Sequence, residues 1–266
     1  MARGVVQSVR TSFFFGLTAS LATLVPAGAA RADARGEAIW AQTLAALGRT
    51  QNLTAQMRVS RQTGGGAETR AGRVVLSRPN FAHADLNGHT PLSLVATGRA
   101  IFLVSGKAYQ YSPLKSDGAN LGEALNAPLV TFYFKPDAAS LAPGYSGLGK
   151  ATYKGQETIG GVACDIIEIT GTKPARCRIT LSVGPDKLPR RSTFRYQITP
   201  RFTETVDVQF TSVVVNSKLP ATAFHFVPPP GAVNLTPELA TPDKPGAGKQ
   251  QGDPGTIAPD GTIIRP

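Results

Sequence analysis

Sulfur, tryptophan and histidine are scarce: two Cys, two Met, one Trp and three His among 266 residues. Two cysteines and three isolated histidines (His83, His89 and His225) do not make a ligand cluster, so neither a metal nor a cofactor is expected. The nucleophile turn G-x-S-x-G, the zinc helix H-E-x-x-H and the phosphate loop are all absent. Gly64-Gly65-Gly66 is followed by no helical pattern and reads as a turn. His83, His89 and Asp85 could meet across a hairpin, but no strained nucleophile turn accompanies them. The chain is therefore expected not to be an enzyme.

Long apolar runs are missing too, apart from one near the start. Arg3 and Arg10 precede an apolar stretch from Phe13 to Val25, and Ala27-Gly28-Ala29 and Ala30-Arg31-Ala32 are both A-x-A sites. The stretch is too short to span a bilayer. Residues 1–32 are expected to be a secretory signal peptide, cleaved after Ala32. No cysteine stands at the end of the stretch, so no N-terminal lipid anchor is expected. The mature chain should be periplasmic, without a transmembrane segment, and a monomer. It keeps 234 residues, with 25 of the 28 basic side chains against 17 acidic ones, a formal charge of +8. Export removes nucleic acid as a partner. The charge fits anionic membrane surfaces or acidic partners, and it equally fits solubility alone.

In an oxidising compartment Cys164 and Cys177 are expected to form a disulfide, because they flank a turn at Gly171-Thr172-Lys173-Pro174. The alternative is two buried free thiols, since a turn centred on Lys173 does not set them directly opposite.

Ile39, Thr43, Leu44 and Leu47 recur at helical spacing with Trp40 beside them, which predicts one amphipathic helix over 34–49. Period-2 alternation and turn residues then predict ten or eleven strands. The first is at 55–60, the last at 223–227, and the longest at 203–215. Residues 113–150 break this rhythm. Leu121, Leu125, Leu129 and Val130, then Phe132 and Phe134, sit there between Pro113, Pro128, Pro136 and Pro143 as a helical or irregular cover. Residues 234–266 are Pro/Gly-rich, have no period and read as a disordered tail. Residues 33–233 are then one domain: a mainly β (α+β), strongly curved antiparallel half-barrel, covered by the first helix and the 113–150 segment.

Several segments resemble the LolA/LolB-like lipoprotein carriers of the periplasm. They are Arg78-Pro79-Asn80-Phe81, the hairpin from Ala96 to Leu103, Asn126-Ala127-Pro128-Leu129-Val130 and the ending Phe224 to Ala232. Gln156 to Asp165, with Leu188-Pro189-Arg190-Arg191, is most similar to a branch of that superfamily, the DUF2092-type periplasmic proteins. The resemblance covers about residues 36–233. It implies an apolar cavity for lipid or lipoprotein acyl chains beneath a helical lid. Arg78 matches the arginine associated with lid contacts and cargo release. The bulky aromatic expected two positions after the asparagine is Ala82 here, with Phe81 adjacent, a departure from the carrier pattern. Trp40, Leu44, Phe81, Phe102, Phe132 and Phe134 are the apolar cavity candidates. A second reading keeps the same fold as a regulatory or structural module of the cell envelope, like the RseB/MucB-type stress sensors, with a protein partner and no lipid transport.

Overall fold

The computed structural model describes residues 27–114, 118–142, 144–173, 176–199 and 202–236. Most of the expected signal peptide (1–26) and nearly all of the expected tail (237–266) lie outside the described residues.

Helix α1 (Ala27–Arg49) begins seven residues before the predicted start and runs through both small-residue sites. Its sequence is rich in alanine, the best helix former. Ile39, Thr43, Ala46 and Leu47 bury one face. Thr50 ends the helix, its hydroxyl donating to the Ala46 carbonyl at 2.9 Å. Among the described residues, no helix is long and apolar enough to cross a membrane.

Eleven strands follow in two runs. The first holds β1 (Asn52–Thr63), β2 (Gly66–Ser77), β3 (Phe81–Gly88), β4 (Leu92–Thr97), β5 (Ala100–Ser105) and β6 (Ala108–Pro113). Three short helices intervene: α2 (Ala119–Leu125), α3 (Pro128–Phe134) and α4 (Ala138–Leu141). The second run holds β7 (Thr152–Ile159), β8 (Val162–Gly171), β9 (Cys177–Val183), β10 (Pro189–Thr199) and β11 (Phe202–Val215). A two-residue strand, β12 (Val233–Asn234), closes the described chain. Together they form one open, curved sheet in the order β12-β6-β5-β4-β3-β2-β1-β11-β10-β9-β8-β7. Neighbours are antiparallel except β12 on β6. The expected architecture is present, with one strand more than the pattern predicted.

This order decides where the helices go. β6 and β7 lie toward opposite edges, so the chain between them must cross the whole sheet. Helices α2 to α4 make that crossing over an apolar face. Alternation puts Leu53, Ala55, Met57 and Val59 of β1 on that inner face, with Val74 and Leu76, Ala82 and Ala84, Ile167 and Ile169, and Val206 and Val208 from its neighbours. Each large aliphatic side chain buried there contributes about 1.5–3 kcal/mol.

The expected disulfide fails on register. Cys177 lies opposite Gly171, on the inner face. A Cβ built on Gly171 would come within 2.5 Å of the Cys177 sulfur, so glycine makes room for it. Cys164 belongs to the opposite face, seven residues up β8 from Gly171. At about 3.3 Å per residue that is on the order of 20 Å, far beyond the reach of a disulfide. Both cysteines are buried free thiols. Accordingly, a maleimide should label neither thiol until the protein is unfolded in guanidinium, and a reductant should leave the melting temperature unchanged.

Nor is 223–227 a strand. Residues 221–224 form a turn, and the chain then runs without regular structure to β12. Pro228, Pro229 and Pro230 have no N–H to give to a ladder. The segment instead straps the outer face. Phe224 packs on Phe81 (5.4 Å between centroids), and Phe226 stacks on Phe102 at 4.2 Å. The His83 ring nitrogen bonds the Ala223 carbonyl at 3.0 Å. Val233 N–H then donates to the Lys107 carbonyl, and Leu235 N–H to that of Tyr109. The strap thereby covers an edge strand that would otherwise offer free backbone groups.

Candidate functional site

Helix α3 is the part of the crossover that fills the hollow of the sheet. Pro128 starts this helix at the position where proline is tolerated. Leu129, Val130, Thr131, Phe132, Tyr133 and Phe134 are all buried. Phe132 stacks on Trp40 of α1 at 5.4 Å and 10°, and Leu44 packs against the same cluster half-buried. Helix α2 ends at Asn126 in the left-handed conformation. It packs so close on α3 that a Cβ on Gly122 would meet the Thr131 hydroxyl at 1.9 Å.

Arg78, at the end of β2, ties this arrangement together. Its guanidinium donates to the Thr50 carbonyl at 3.0 Å and the Leu47 carbonyl at 3.2 Å, at the C-terminal end of α1. It also donates to the Phe134 carbonyl at 3.0 Å and to that of Tyr133, in the last turn of α3. Two helix C-termini, each carrying partial negative charge, share one fixed cation.

A cleft of ≈ 280 Å³ opens between α2–α3 and β10–β11. Phe194, Val206, Pro128 and Tyr145 supply its apolar walls, and Arg61, Tyr196 and Glu204 its polar side. Glu204 is only 4% exposed. It accepts from Arg61 Nε at 2.5 Å and from the Tyr196 hydroxyl. Burial raises its pKa, but the hydrogen bonds from Arg61 and Tyr196 outweigh that and hold it below the usual carboxylate range. Burial, reinforced by Glu204, pushes the Tyr196 phenol up to about 12.

The sign of the linkage follows. A depressed carboxyl stabilises the fold above its unfolded pKa, and that stability is lost as pH falls through the folded value. A raised phenol stabilises below about 10, and that is lost as pH climbs toward about 12. Thermal melts should therefore fall at both ends of the pH range, and Glu204→Gln should flatten the acid limb.

The sequence candidates separate into two groups. Trp40, Leu44, Phe132, Phe134 and Arg78 converge around α3. Phe81 and Phe102 do not join them. Their neighbours Ala82 and Ile101 take the inner positions, leaving both rings on the outer face beneath the strap. Arg61, Glu204, Tyr196 and Tyr133 complete the site without having been singled out. Glu204 did carry a signal, because it leads the inward alternation Glu204, Val206, Val208, Phe210.

His83 and Asp85 do meet, at 3.2 Å. The nearby Ser93 hydroxyl donates to Asp85 and not to the imidazole, so the hydroxyl–imidazole–carboxylate order of a nucleophilic triad is not built. Among the described residues, no three His, Cys, Asp or Glu side chains gather as a metal site would require.

No curated protein is similar to this chain. Solved structures that resemble it include LprF of Mycobacterium bovis (12% identity, 75% of this chain and 98% of that one, TM-score 0.43). The lipoprotein LppX of Mycobacterium tuberculosis matches at 13% identity over 71% of this chain and 98% of that one, TM-score 0.41. A LolA superfamily protein of Nitrosomonas europaea matches at 10% identity over 71% and 96%, TM-score 0.33. A family model, described as a predicted periplasmic protein of type DUF2092, matches residues 67–236. That match takes in β2 through β12, including the crossover, the Arg78 clamp and the strap, and the chain belongs to the DUF2092 family.

Proposed function

We propose that the protein is a periplasmic, non-catalytic carrier that binds an acyl chain of a lipid or lipoprotein on the inner face of the sheet, with α3 as the displaceable lid. One observation carries the reading. A seven-residue helix on the edge-to-edge crossover has every side chain from Leu129 to Phe134 buried. Displaced, it leaves an apolar slot in its place. The cleft of ≈ 280 Å³ lies just below the range of about 300–1,000 Å³ usual for ligand pockets. Entry of a long chain therefore requires the lid to move. Each CH₂ that enters contributes about 0.8 kcal/mol, enough for a long acyl chain to replace α3 side chains without any specific polar contact.

Tyr133 offers one polar contact all the same. Burial pushes its phenol up to about 12, against the opposing Arg78 charge. Among the described residues its hydroxyl donates to no acceptor, and the Arg78 guanidinium beside it can only donate. An acyl carbonyl would accept from it.

The test uses the one tryptophan. Titrating the chain with palmitate should shift Trp40 emission as its partner Phe132 moves, and native mass spectrometry should show one bound chain. Unchanged emission and a bare mass would sink the carrier reading. Tyr133→Phe should change stability by no more than about 1 kcal/mol, since the buried hydroxyl it removes donates to nothing. The same variant should bind palmitate more weakly than the parent.

A further inference from the structure

On the outer face, Arg178 of β9 and Arg195 of β10 stand directly opposite each other in the ladder. Both are exposed. Like charges so placed destabilise an antiparallel pair, so the arrangement asks what it is for. Arg176, Arg178 and Arg195, with Thr170 and Thr203, line a second cleft of ≈ 240 Å³. Local acid does not neutralise it. Glu168 receives Arg178 at 3.1 Å and Lys154 at 3.3 Å, one carboxylate shared by two cations. Among the described residues, Arg176 and Arg195 have no ion-pair partner. Forked guanidinium donors beside hydroxyls match the oxygens of a phosphate.

Location adds the second argument. Tyr196 lines both this cleft and the one beneath the lid. Both clefts lie at the end of the sheet where the β1–β2, β8–β9 and β10–β11 connections turn. We infer that the arginine cleft docks this end of the sheet on the phosphates of an anionic phospholipid surface, which sets the mouth of the lid cleft, on the other face at the same end, beside the membrane that donates or receives the acyl chain. This inference rests on the carrier reading for its purpose, and its test is separate.

The test compares the full exported chain with its R178Q/R195Q variant in sedimentation with vesicles of phosphatidylglycerol or of phosphatidylcholine. The parent should associate with phosphatidylglycerol, lose that association as salt rises, and ignore phosphatidylcholine. Each arginine at an anionic surface is worth about fivefold, so the double variant should partition about twenty-fivefold less. Both side chains are exposed, and a cooperative melt at or above the parent's temperature will establish that the variant is folded. Equal sedimentation of parent and variant, or indifference to lipid charge, would overturn the inference. Release of the parent from vesicles by inorganic phosphate, at an ionic strength where chloride has no effect, would reassign the cleft to a soluble phosphate and overturn the membrane docking. Palmitate uptake in solution should be equal in parent and variant. Vesicle binding without uptake removes the carrier reading and leaves the docking. Uptake without vesicle binding does the reverse.

Discussion

Replacing Arg78 with methionine should lower the melting temperature by about 6–12 °C. That figure follows from a loss of about 3 kcal/mol, since hydrogen bonds from a charged donor are among the stronger ones, and from about 2–4 °C per kcal/mol in a domain of this size. The side chain serves four carbonyls at two helix ends, so its removal takes the charged donor from both. Methionine keeps much of the apolar stem and isolates the lost fork. Lysine should recover only part, because a compact ammonium cannot span the four acceptors. Hydrogen exchange gives the local readout: amides of α3 and the last turn of α1 should exchange faster, while the centre of the sheet changes least. If α3 is the lid, the variant should also release palmitate faster. A melting temperature and an exchange pattern like those of the parent would mean that the clamp contributes nothing.

The second large effect concerns the strap. Changing Phe224 and Phe226 together to alanine should cost about 4 kcal/mol. Each half-buried ring contributes about 1–1.5 kcal/mol by burial, and its aromatic pairing adds about 0.5–1.5 kcal/mol. A chain ending at Asn216 should do worse. It exposes Phe81, Phe102 and Tyr109 together with the backbone of β6. An uncovered apolar edge is an association surface, so this truncation should elute as dimers or larger species. The check is urea unfolding with size-exclusion chromatography. A monomer of parental stability would show that the strap is an ornament of the outer face.

The fold was legible where one periodicity governed a whole segment. β1 alternates cleanly from Leu53 to Val59, and Ile39, Thr43 and Leu47 mark the buried stripe of α1. The crossover was legible as an interruption. Its dividing prolines, Pro128 among them, were visible, although three separate helices were not. What stayed hidden needed pairing information. Phe81 and Ala82 are adjacent, and only register says which faces inward. The larger residue looked like core, yet the smaller takes the inner position. The cysteines failed for the same reason, because a turn between two residues does not place them at equal depth or on one face. The segment 223–227 looked like a strand because Phe224 and Phe226 flank His225 at strand spacing. They pack on a sheet without joining it. Glu204 was passed over because charge on a strand is ordinarily outside, and its alternation with Val206 and Val208 was the contrary signal.

The seam between β1 and β11 has a consequence for how the chain reaches this state. Hairpins such as β4–β5 join residues close in sequence and can close early. The seam pairs Leu53 with Val215, residues 162 positions apart. Loop-closure entropy delays such contacts, and topologies rich in them fold slowly. Before the seam forms, each half presents an uncovered apolar face, a state prone to aggregation. The crossover carrying α3 is part of the loop that has to close. The element proposed to admit cargo is thus also the tether that keeps two half-sheets within reach of each other. A chain cut between α2 and α3 should yield halves that fold productively only when they are refolded together.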